Sequence, residues 1–105
     1  MSQEMLTTID QDVRNNRVML YMKGNKDLPM CGFSAQVVHI LNTLGAKYET
    51  RDVLQDDELR QSIKEYSDWP TLPQLYIDGE FVGGCDITME LYENGKLKTL
   101  LGSSA

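Results

Sequence analysis

Five consecutive apolar residues, Val18-Met19-Leu20-Tyr21-Met22, are closed by Lys23-Gly24, the pattern of a strand buried on both faces of a sheet. Ahead of it, Leu6, Ile9 and Val13 recur at helical spacing, and Asn15-Asn16 ends that helix. Behind it, Val37, Val38, Leu41 and Leu44 mark the core side of a second helix, patterned from Ala35 to Leu44 and stopped by Gly45. Tyr48 to Val53 alternates with charged and polar residues and predicts a partly exposed edge strand. A third helix begins near Asp56 and buries Leu59, Ile63 and Tyr66. Trp69-Pro70-Thr71-Leu72-Pro73 cannot continue it, because its two prolines forbid helix and restrict the residues before them. Gln74 to Ile77 and Glu80 to Val82 read as strands joined by a type I′ turn at Asp78-Gly79. Asp86 is expected to cap a fourth helix carrying Ile87 and Leu91, with Asn94-Gly95 as its stop. A short fifth helix is expected to pack Leu97, Leu100 and Leu101.

The order α-β-α-β-α-β-β-α-α has physical consequences. A right-handed crossover makes the first two strands parallel, and the hairpin adds an antiparallel pair. The expected architecture is α/β, a four-stranded mixed sheet flanked by about five helices in the arrangement of the thioredoxin fold. With 105 residues, 41% of them apolar, the chain fits one domain over residues 1–105. The net charge of −6 is spread in short clusters such as Asp56-Asp57-Glu58, which argues against non-specific binding to nucleic acid or to anionic membranes. Met1-Ser2-Gln3-Glu4-Met5 has no signal or transit pattern, and no apolar run reaches membrane-spanning length. Two cysteines are too few for a secreted disulfide framework. A cytoplasmic protein is expected, and a processed organellar one would read the same.

Candidate chemistry centres on Cys31-Gly32-Phe33-Ser34, where the loop after the first strand meets the second helix. Free N–H groups and the positive end of the helix dipole stabilise a thiolate there, and Lys23 adds to the effect. Ser34 stands where a thioredoxin-like pair would place its second cysteine, and a hydroxyl cannot resolve a mixed disulfide. Cys31 therefore acts alone or with a thiol from elsewhere. His39, between Val38 and Ile40, reads as a helix residue and not as a metal ligand, since no neighbouring histidine or cysteine completes a site.

Lys23-Gly24, Leu28-Pro29-x-Cys31-Gly32-Phe33-Ser34, Trp69-Pro70-Thr71-x-Pro73 and Gly83-Gly84-Cys85-Asp86 occur in one order and spacing. In these the chain resembles the monothiol glutaredoxins of the Cys-Gly-Phe-Ser class, over about Thr8 to Leu101. The resemblance implies that Cys31 is the glutathione-facing thiol and that Lys23 and Arg60 meet the glycine carboxylate of glutathione. It implies a cis peptide before Pro73, so that Leu72 pairs with the glutathione backbone beside the Thr71 hydroxyl. Gly84, Cys85 and Asp86 would receive the γ-glutamyl end, its carboxylate on backbone N–H groups and its ammonium on Asp86. Asp86 is equally open to a capping role, Trp69 to packing beside the cleft, and Cys85 to being a small residue or a disulfide partner of Cys31.

A [2Fe–2S] cluster takes four ligands, and one protomer offers Cys31 plus the thiol of one glutathione. The resemblance therefore implies a homodimer bridged by a cluster, with two glutathiones, that passes clusters to iron–sulfur recipient proteins. The alternative is a glutathione-dependent oxidoreductase that removes glutathione from protein mixed disulfides through Cys31. A BolA-type protein is a third expected partner, one that would share the cluster.

Overall fold

The computed structural model describes residues 3–102, and Met1 and Ser2 of the N-terminal reading lie outside them. The described residues form five α-helices and four strands. They are α1 (Gln3–Asn15), β1 (Val18–Met22), α2 (Gly32–Thr43), β2 (Glu49–Asp52), α3 (Asp57–Ser67), β3 (Gln74–Ile77), β4 (Glu80–Gly83), α4 (Cys85–Glu93) and α5 (Lys96–Leu101). The sheet order is β2-β1-β3-β4, with β1 and β2 parallel and the other two pairs antiparallel. Every residue of β1 is buried, as its unbroken apolar run predicts, because both neighbours and both faces are covered.

Alternation along β1 divides the core in two. Val18, Leu20 and Met22 pack with Val37, Val38, Ile40 and Leu41 of α2, Cys85 of α4, and Leu97 and Leu101 of α5. Met19 and Tyr21 face the other way, onto Ile9 and Val13 of α1, Leu59 and Ile63 of α3, and Leu72 and Tyr76. Tyr21, Tyr66 and Phe81 surround the Tyr76 ring at centroid distances of 5.8, 6.0 and 5.4 Å. Asp78 and Gly79 both have positive φ, the conformation of the type I′ turn that matches strand twist. Asp56 caps α3 by accepting from the N–H groups of Glu58 and Leu59.

Four sequence expectations need correction. The second helix starts at Gly32, with Cys31 as its N-cap, and not at Ala35, because its first turn, Gly32-Phe33-Ser34, carries no apolar periodicity to mark it. The strand expected over Tyr48 to Val53 is confined to Glu49–Asp52. Tyr48 is buried beside the strand, and Asp52 accepts from the Leu54 N–H and turns Val53–Gln55 into a 3₁₀ turn. The cap of α4 is Gly84 and not Asp86; Asp86 is an exposed first-turn residue. A side chain at Gly84 would crowd the Pro73 carbonyl at 3.3 Å, so close approach decides this cap. Leu100 is exposed, since a six-residue helix turns only Leu97 and Leu101 inward. Leu6, Leu44, Tyr66, Ile87 and Leu91 are half-buried.

Candidate functional site

Cys31 stands at the head of α2 with extended backbone (φ −152°, ψ 137°), half exposed. Its thiol pKa is lowered, first by the Ser34 backbone N–H, then by the Phe33 N–H, the Lys23 charge and the Ser34 hydroxyl, against an opposing push from burial. These are the orphan donors of a helix start, turned onto sulfur. Ser34 has a second task. Its fully buried hydroxyl accepts from the Lys23 N–H at 3.2 Å and so ties the loop after β1 to α2.

That loop is a closed unit. Met30 N–H donates to the Lys23 carbonyl at 2.9 Å, Asn25 and Leu28 exchange backbone hydrogen bonds, and the Asn25 side chain accepts from Asp27 and Leu28. Gly24 N–H donates to Asp52 at 2.9 Å, which fastens the loop to the end of β2. Leu28, Met30 and Phe33 are thereby held outward beside Cys31, each more than 60% exposed.

A groove of about 230 Å³ opens beside the thiol. Phe33, Trp69, Thr71, Leu72, Gly84, Cys85, Asp86 and Ile87 line it. The tertiary structure thus brings Thr71 and Leu72 of the loop before β3 against Gly84, Cys85 and Asp86 at the start of α4. The Leu72–Pro73 peptide is cis. Lys23, Cys31 and Arg60 are not among its lining residues; Lys23 acts on Cys31 through its charge, and Arg60 is half-buried on α3. Trp69 reaches the groove and packs on Phe81 at 5.8 Å. A larger open concavity of about 600 Å³, lined by residues including Arg17, Lys26, Lys47 and Tyr48, contains neither cysteine.

The two cysteines differ in kind. Both are free thiols, but Cys85 is buried and its thiol donates to the Met89 sulfur at 3.8 Å. Burial pushes the Cys85 pKa up, and the Asp86 and Cys31 charges push the same way. Iodoacetamide is therefore expected to alkylate Cys31 with a pH midpoint below that of an ordinary cysteine, while Cys85 reacts only at higher pH. Ser34→Ala removes one donor to the thiolate. It should move the Cys31 midpoint upward and slow alkylation at neutral pH about threefold to tenfold. Mass spectrometry across a pH series checks both, and an unmoved midpoint would remove Ser34 from the account.

Phe33 and Ile87 line the groove, a role assigned to neither from the sequence, although Phe33 belongs to the Cys31-Gly32-Phe33-Ser34 motif. Phe33 carried a signal, a large apolar residue in the first turn of α2 on no core stripe. Ile87 carried none, because it read as a core residue of α4.

A four-stranded mixed sheet between two helical layers, with one activated thiol at the head of α2 and a groove beside the loop before β3, defines a thioredoxin-fold protein that carries a single reactive cysteine. Comparison with known proteins narrows the class. The glutaredoxin family model matches residues 18–82. An uncharacterized monothiol glutaredoxin (ycf64-like) of Synechocystis sp. is 59% identical over 101 residues, covering 96% of this chain and 94% of that protein. The chain belongs to the glutaredoxin family, among the monothiol glutaredoxins. The solution structure of reduced poplar apo GrxS14 is 57% identical, covers 89% of this chain and 85% of that one, and superposes with a TM-score of 0.79. A buckwheat glutaredoxin–glutathione complex is 28% identical with a TM-score of 0.84, covering 96% and 94% of the two chains.

Proposed function

We propose that the protein binds glutathione in the groove beside Cys31 and, as a pair of protomers with two glutathiones, carries a [2Fe–2S] cluster for delivery to other proteins. The observation that carries this reading is one accessible thiol of lowered pKa, Cys31, next in the chain to a groove lined by Phe33, Thr71, Leu72 and the start of α4. Thr71 and Leu72 offer a backbone edge on one side, and the start of α4 at Gly84 and Cys85 offers N–H groups suited to a carboxylate on the other. Lys23 and Arg60 are assigned to the opposite carboxylate of the tripeptide. The structurally similar buckwheat glutaredoxin–glutathione complex supports the choice of ligand.

The donor set fits a shared cluster and not an internal one. Among the described residues no group of three or more His, Cys, Asp or Glu side chains is placed to hold a metal, and Cys85 is a buried, hydrogen-bonded thiol. One chain therefore supplies one thiolate, Cys31. Four ligands require two chains and two glutathione thiols. The cluster is cargo, and its ligand set comes apart when the protomers separate. Leu28, Met30 and Phe33, within three residues of Cys31 in the chain, expose apolar surface that a second protomer would cover. A BolA-type protein in place of that second protomer, supplying its own ligands, is the heterodimeric form of the same scheme.

Anaerobic reconstitution with iron, sulfide and glutathione tests the proposal. The expected result is a glutathione-dependent [2Fe–2S] spectrum that co-elutes with a dimer on sizing chromatography. A colourless monomer with all components present would overturn it in favour of thiol exchange, to which the lowered Cys31 pKa also suits the chain. In that chemistry the Cys31 thiolate takes glutathione from a protein mixed disulfide and releases the protein thiolate. A second glutathione then attacks Cys31–S–S–glutathione, restoring Cys31 and leaving as glutathione disulfide. Turnover coupled to glutathione reductase would be its mark.

A further inference from the structure

Gln74 opens β3 immediately after Pro73 and is fully buried, on the sheet face filled otherwise by Met19, Tyr21 and Tyr76. An apolar side chain there would avoid desolvating an amide, so the polar group calls for a reason. Its hydrogen bonds supply one. Gln74 Nε2 donates to the carbonyls of Trp69, at 3.1 Å, and Thr71, at 3.3 Å, while Oε1 accepts from the Tyr76 hydroxyl at 3.1 Å. Two carbonyls at one end and a hydroxyl at the other fix which end of the amide is nitrogen.

Both carbonyls belong to the loop that walls the groove. In a trans peptide the N–H points opposite to the C=O, so drawing the Thr71 carbonyl toward the buried amide turns the Leu72 N–H away from it. Among the described residues no hydrogen bond runs from that N–H to a protein acceptor, and Leu72 lines the groove. We propose that Gln74 is a positioning residue for the glutathione site: gripping the Trp69 and Thr71 carbonyls from behind, it holds the Leu72 N–H toward the groove for a peptide ligand to accept. This rests on the glutathione reading and adds a residue that touches no ligand.

The test uses one exchange with two oxidants. The Cys31 thiolate attacks a sulfur of glutathione disulfide, a Cys31–glutathione bond forms, the original S–S bond breaks, and one glutathione thiolate leaves. Bis(2-hydroxyethyl) disulfide undergoes the same exchange, releasing 2-mercaptoethanol thiolate, but presents no peptide. Rate constants for both, read by mass spectrometry at fixed pH, are compared between the wild-type chain and Gln74→Met. The variant is expected to lose about tenfold with glutathione disulfide and to be unchanged with the hydroxyethyl compound. The pH midpoint of Cys31 alkylation should stay in place.

Tyr76→Phe frees only the far end of the amide and should show the same selective loss at about twofold to threefold; it carries the test if Gln74→Met does not fold. An equal loss with both disulfides, or no loss with either, would overturn the positioning role. A wild-type chain that does not prefer glutathione disulfide would overturn the glutathione reading, and this inference with it. A wild-type preference that survives both substitutions would overturn this inference alone.

Discussion

Replacing Cys31 with serine is expected to abolish both cluster colour on reconstitution and mixed-disulfide formation with glutathione disulfide. A serine hydroxyl keeps the shape of the helix start, but it neither ionises near neutral pH nor offers sulfur to iron. Cys85 cannot take over, because it is buried, engaged with Met89 and held in the protonated form by its surroundings. Cys85→Ala should therefore retain colour. A stable coloured dimer from Cys31→Ser would remove the four-thiolate arrangement. Stability should hardly change, within about 0.5 kcal/mol at neutral pH, since Cys31 is half exposed and touches no core cluster. The pH dependence has a definite sign. Cys31 has a lower pKa folded than unfolded, so its ionisation contributes stability above the unfolded value, a contribution lost as pH falls through the folded value. Cys31→Ser lacks that alkaline contribution, which urea melts at two pH values would read.

Gly24→Ala should produce the largest loss of stability and order near the site. Gly24 has φ +90°, and a Cβ there would overlap the Leu28 carbonyl oxygen, with Met30 N at 2.6 Å. Both obstacles are backbone, so neither can rotate away. The strained φ and the clash together are worth about 2–4 kcal/mol. Relief requires opening the loop whose hydrogen bonds run from Lys23 to Met30 and which is tied to Asp52 through Gly24 itself. Because that loop delivers Lys23 and Cys31 together, Gly24→Ala should also raise the pH midpoint of Cys31 alkylation. Gly32→Ala is the control. A Cβ at Gly32 meets nothing within 4 Å, and alanine in a helix is favoured by up to about 1 kcal/mol. Equal denaturation midpoints for the two variants would contradict the loop geometry.

The amino-acid sequence by itself determined what depends on neighbours along the chain. The continuous apolar run of β1, the Asp78-Gly79 turn, the start of α3 near Asp56 and the glycines that follow α2 and α4 are local matters of side-chain period and backbone φ, and each is legible without a fold. So was the likeness to monothiol glutaredoxins, carried by four short motifs, and the placing of Cys31 at a helix start. The tertiary structure decided what depends on approach between distant segments. Thr71 and Leu72 meet Gly84, Cys85 and Asp86 only because the β3–β4 hairpin returns the chain beside the loop, and that approach, through the Pro73 carbonyl, puts a glycine where side-chain preference pointed to Asp86. Cys85 is silenced by burial against α2 and contact with Met89, which its position in a motif could not convey. Gln74 and Ser34 read as an ordinary strand residue and a missing cysteine. Their buried hydrogen bonds to Trp69, Thr71 and Lys23 exist only once sheet and helices are packed, because a polar side chain shows its purpose through the partners that replace its water.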